Sequence, residues 1–109
     1  MKNTIYGVLL FVSSLIFNLA YAESGGSTGR ITAMLWYEGH TGLLIKQEGM
    51  SDLGGCGRAD YYILDDQHPY FEEMYSLILA AHISSQPLWI HLNDCVQGIS
   101  RIQHVSSSK

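Results

Sequence analysis

Only two cysteines, two prolines and six basic side chains occur in this chain of 109 residues, and each scarcity removes a class of protein. Two cysteines without a CxxC or a His–Cys spacing do not make a structural zinc site, which takes four ligands. Six lysines and arginines against ten acidic residues leave a formal charge of −4. Such a chain has no basic stripe to neutralise phosphates, so nucleic acid is excluded as a partner, and an anionic membrane surface is a poor fit. The longest apolar run, Ile5 to Phe17, is well short of the roughly 20 residues that span a bilayer. No GxSxG elbow, Ser-His-Asp spacing or internal repeat is present. The sequence therefore names no reaction, and no cofactor is expected.

What is present begins with an address. Lys2, the apolar run and Ala20-Tyr21-Ala22 form the basic, apolar and small-x-small regions of a secretory signal peptide, with cleavage expected before Glu23. Removing 22 of 109 residues leaves 87, one small domain, and the loss of Lys2 moves the charge from −4 to −5. The reading is a periplasmic or secreted protein with no membrane insertion after signal cleavage. Export places Cys56 and Cys95 where disulfides persist, and a domain this small gains from a covalent staple. Residues 23–29, ESGGSTG, read as a flexible leader, and the final SSSK, residues 106–109, as a frayed tail.

The two prolines bracket one helix. Pro69 suits the first helical position, Asp65, Asp66, Glu72 and Glu73 complement its positive end, and Ser84-Ser85-Gln86-Pro87 stops it. Tyr70, Phe71, Met74, Leu77, Ile78 and Ala81 share one wide face, broader than one barrel end requires. Beyond Pro87, the alternation of Leu88, Ile90 and Leu92 with Trp89, His91 and Asn93 is that of a half-buried strand. Upstream, alternation over residues 30–37, the turn at 38–42 and the apolar Leu43-Leu44-Ile45 form a hairpin. A glycine-rich loop carries Cys56, residues 59–64 form a third strand, and residues 99–105 form a fifth with a bulge or an edge. The order β-β-β-α-β-β over residues 30–105 predicts a mainly β domain with one helix, a small five-stranded OB-like barrel. In that topology Cys56 and Cys95 meet at one end. An open sheet with one helix packed on it is the alternative.

A signal peptide, one disulfide, this element order and the segment AAHISSQPLWIHL (80–92) resemble the small exported proteins related to AB5 toxin B subunits, in the subtilase cytotoxin and pertussis-like branch. The helix HPYFEEMYSLILAA (68–81) is similar to that of small exported proteins of Gram-negative bacteria. The resemblance covers mainly Tyr61 to Cys95. It implies a non-enzymatic binding module able to assemble as a homo-oligomeric ring, and it supplies no site residue.

Each candidate chemistry has a plain alternative. His40, His68, His82, His91 and His104 are scattered over the elements; His91 and His104 can face one another across neighbouring strands, giving two ligands where a catalytic zinc needs three, so no metal is expected. The paired acids fit glycosidic hydrolysis but are already explained at a helix N-terminus. Trp36, Tyr61, Trp89 and His91 are the candidate binding surface: if Leu88, Ile90 and Leu92 point inward, Trp89 and His91 point out, and Trp36 on a neighbouring strand shares that face. Cover by loops or by the helix is the equal alternative. The leading expectation is a module that recognises a glycan or protein receptor outside the cytoplasm. A periplasmic structural or stress-related accessory domain acting by protein contact comes second, and a small hydrolase third.

Overall fold

The computed structural model describes residues 24–107; the expected signal peptide, residues 1–22, lies outside the described residues, as do positions 108 and 109 of the expected tail. Five strands and one helix follow in the order β1 (Ser24–Leu35), β2 (Gly42–Gln47), β3 (Tyr62–Asp65), α1 (Phe71–Ser84), β4 (Pro87–Val96) and β5 (Ile99–Ser106). The strands pair in the sequence β1-β2-β3-β5-β4, and β4 returns to β1, so the sheet closes on itself. All the pairings are antiparallel except β3–β5.

Closure depends on the segment expected to be a flexible leader. Residues 24–29 are instead the first half of β1, paired from Ser24↔Asn93 to Arg30↔Pro87 along β4. Without them β4 would present a bare row of backbone donors and acceptors on one side. The second half of β1, from Ile31 to Leu35, pairs with β2, and the register shifts between Ile31 and Ala33, where the strand changes partner. Low side-chain content in SGGSTG removed the strand signal from the sequence, yet small residues are what this wall needs. A Cβ on Gly26 would lie 2.6 Å from the Trp89 indole nitrogen.

Gln47 locks the change of partner. It is buried at 4% exposure; its Nε2 donates to the carbonyls of Gly29 (3.1 Å) and Leu88 (2.9 Å), and its Oε1 accepts from the Ser27 hydroxyl at 2.7 Å. One amide thus joins β1, β2 and β4 with its polar atoms paired, the condition under which a buried amide is tolerated.

The barrel interior holds Ile31, Leu43, Ile45, Tyr62, Leu64, Leu88, Ile90, Leu92 and Ile102, and α1 covers it with Met74, Ile78 and Ala81. The inward parity expected for Leu88, Ile90 and Leu92 is the one observed. Leu44, Ile63 and Ile99 form a separate small cluster, with Leu35, Tyr61 and Val96 against it. Burial on both sides is why β2 reads as an apolar run rather than an alternation.

The helix starts two residues after Pro69, at Phe71, with Tyr70 as N-cap and no side-chain cap. His68 supplies the missing fixing: its Nδ1 accepts the Tyr70 N–H at 3.0 Å, and its Nε2 donates to the Gln103 carbonyl on β5 at 2.9 Å. At the other end His82 Nδ1 donates to the Ile31 carbonyl at 2.8 Å, beside the β1 irregularity. Ser85 then ends the helix in a left-handed conformation, φ 57°. Two histidines therefore tether α1, one at each end. Asp65 belongs to β3 rather than to the helix start, and its carboxylate accepts from Gln97 in the β4–β5 turn at 3.0 Å.

Cys56 and Cys95 are bonded, with Cα atoms 5.7 Å apart, fastening the β2–β3 loop to the end of β4. The Ser100 hydroxyl accepts the Gly54 N–H at 3.1 Å in the same corner. Gln97 also donates to the Thr41 carbonyl at 2.7 Å, so the β1–β2 and β4–β5 turns are held together.

Candidate functional site

Strand parity and register build an aromatic ladder on the outer wall. Outward residues of β4 are Trp89 and His91, and His91 lies directly opposite His104 of β5. Ring centroids step 5.7 Å from Trp89 to His91 and 5.6 Å from His91 to His104, with interplanar angles of 26° and 28°. On the far side the Trp89 indole rests against Gly26 of β1, so the row crosses three strands. His91 Nδ1 lies 2.9 Å from Gln103 Oε1. A carbonyl-type oxygen accepts, so Nδ1 carries the proton and the Nε2 lone pair is left free.

The last rung of the ladder, His104, also lines a groove of about 430 Å³ between the start of α1 and β5, together with His68, Tyr70, Met74, Arg101 and Gln103. Both ring nitrogens of His68 are taken by backbone partners, so in this groove it is a structural tie. Tyr70 contributes an exposed ring at 64%. Arg101 brings a guanidinium, with its fork of donors, to a groove that Met74 also lines.

The other two residues expected on this surface are elsewhere. Trp36 follows the end of β1 and does not share the Trp89 face; its ring packs at 6.3 Å from Phe71 and 5.8 Å from Tyr75, so it belongs with the flank of the helix. The correction has a simple cause: β1 stops at Leu35, and alternation cannot be carried past a strand's end. Tyr61 precedes β3 and meets Tyr37 edge-on at 6.3 Å, with the Lys46 ammonium 4.5 Å from its centroid and the Arg58 guanidinium 5.7 Å away. The neighbouring Tyr61 phenol pushes the Tyr37 phenol up from its ordinary range. Arg58 also grips Asp60 with two contacts of 2.6 Å, and that hydrogen bonding holds the carboxyl down at about 2.

Sequence reasoning placed His104 opposite His91 but left it out of the binding surface, and it missed Arg101, Gln103 and Gly26. Only the register could have added them, since Gln103 sits at an irregular step between β4 and β5. Among the described residues no group of three or more His, Cys, Asp or Glu is arranged around a metal position. No described helix is long and apolar enough to cross a membrane.

No protein-family model, curated protein or solved structure matches this chain.

Proposed function

We propose that this protein is an exported OB-like module that binds a glycan, without catalysing a reaction, through the Trp89–His91–His104 ladder and the groove beside it. The observation that carries the reading is the continuity of that surface: three rings in a row run into a groove whose polar edge is Arg101 and Gln103. Aromatic faces stack on the apolar faces of sugars, and fixed donors and acceptors select their hydroxyls. The OB-like assignment is supported by a helix lying between the third and fourth strands and by closure through β3 and β5. Export is supported by the Cys56–Cys95 bridge, a bond that persists in oxidising compartments.

Assembly into a homo-oligomer is part of the same proposal, through the helix flank where Trp36, 57% exposed, packs with Phe71 and Tyr75. The same patch favours a second reading, an accessory domain of the periplasm that acts by protein contact. Two measurements separate them. Light scattering coupled to size exclusion is expected to give a closed oligomer, and a glycan array is expected to give hits that Trp89→Ala removes while the mass stays unchanged. A monomer with no glycan hits would overturn the proposal in favour of the accessory reading.

A further inference from the structure

The geometry points to a site nothing above assigns: we propose that His91 and His104 together chelate a first-row transition-metal ion, Cu²⁺ ahead of Zn²⁺ and Ni²⁺. The inference does not depend on the glycan reading. It rests on three independent features of the pair. The two residues are direct partners across antiparallel β4 and β5, both on the outer wall; directly opposed residues bring their Cβ atoms to about 4.5–5.5 Å, within reach of a shared ion. Their ring centroids are 5.6 Å apart. With metal–nitrogen bonds of about 2.0–2.1 Å, two imidazoles on a tetrahedral ion hold their centroids roughly 5.2 Å apart, close to the spacing observed; the rings are stacked, 28° from parallel, so chelation also turns the His104 ring to bring one of its nitrogens onto the ion.

The third feature is orientation. Metal-binding histidines usually donate their second ring N–H to an oxygen, which fixes the tautomer and aims the ligating nitrogen. His91 already has that arrangement, its Nδ1–H on Gln103 Oε1 at 2.9 Å and its Nε2 free. Gln103 is therefore a positioning residue. His104 is exposed, so an ion reaches the pair from solvent. Imidazole suits copper, zinc and nickel, and the order of affinity for a given donor set favours Cu²⁺. Water completes the coordination shell, since no third protein ligand is arranged there among the described residues.

The test is a Cu²⁺ titration of the purified protein by calorimetry, followed in parallel by tryptophan emission, because Trp89 stacks 5.7 Å from His91 and paramagnetic Cu²⁺ quenches a nearby indole. His91→Ala and His104→Ala are each expected to weaken binding roughly tenfold or more, and Gln103→Ala to weaken it by a similar or smaller factor. Trp89→Phe should keep the heat of binding and lose the quench; Trp36→Phe should keep both. Zn²⁺ should shift the ring resonances of His91 and His104 and leave those of His68 and His82 in place. Parent-like Cu²⁺ affinity in either histidine variant would overturn the proposal. So would an equal loss in the control His40→Ala, or no binding by the parent protein.

Discussion

Gln47 shows how one side chain can hold a wall of the barrel. It occupies a site at 4% exposure and satisfies the carbonyls of Gly29 and Leu88. Gln47→Leu fills nearly the same volume but leaves those acceptors, and the Ser27 hydroxyl, without their partner. At about 1–3 kcal/mol for each buried polar group left unpaired, the expected loss is roughly 3 kcal/mol in urea unfolding. A parent-like midpoint would mean that the wall does not depend on this amide. Asp60 makes a different prediction at the same scale. Its carboxyl is held down at about 2 by the hydrogen bonds from Arg58. A depressed carboxyl contributes stability that is present above its unfolded pKa, near 3.9, and is lost as pH falls through the folded value. The pair is exposed, so solvent screens most of that contribution. Arg58→Ala should therefore raise the Asp60 titration by NMR toward the ordinary carboxylate range while barely moving the acid unfolding curve.

At the scale of the element, the helix is fastened by its two histidines as well as by Met74, Ile78 and Ala81. A hydrogen bond of this kind contributes about 0.5–1.5 kcal/mol, and more where its loss strands a buried carbonyl. His68→Ala and His82→Ala should each destabilise the fold by about 1 kcal/mol, and their effects should add because the sites lie at opposite ends of α1. Native-state hydrogen exchange is the sharper check. His68→Ala should speed exchange in the first turn and His82→Ala in the last; uniform acceleration would show that the helix opens only as a whole. Strand β1 offers a second test of an element. Gly26→Val places side-chain atoms where the Trp89 indole lies, so Trp89 emission should shift red as the ring leaves its seat, and the ladder should lose its first rung.

For the whole molecule the decisive tie is the disulfide. It joins residues 39 apart in sequence, and closing a loop of that length is worth on the order of 4 kcal/mol in the chain-entropy account. That is a large share of the roughly 5–15 kcal/mol available to a domain. Replacing Cys56 and Cys95 together by serine should lower thermal stability sharply, as read by calorimetry. A change of only a degree or two would show that Gln97 and Ser100 hold that end of the barrel without it.

Local pattern was enough for the helix between the two prolines, the hairpin, the inward parity of β4 and the meeting of Cys56 with Cys95, because each depends on residues close in the chain or on strand order. Trp89 and His91 were legible as outward residues for the same reason. What local pattern could not supply was pairing. Residues 24–29 carry almost no side-chain signal, and they form a strand because β4 requires a partner. Trp36 left the outer face because β1 ends one residue earlier. Gln47, His68 and His82 carry no signal of their ties in the sequence, since a buried amide or a tethered imidazole is recognised only by the groups it meets. The sequence by itself determined the order of the elements and the two rings of β4 that face outward. Tertiary structure alone decided that residues 24–29 close the sheet along β4 and that Gln103 meets His91 at the irregular step of β5, because both rest on hydrogen bonds between residues far apart in the chain.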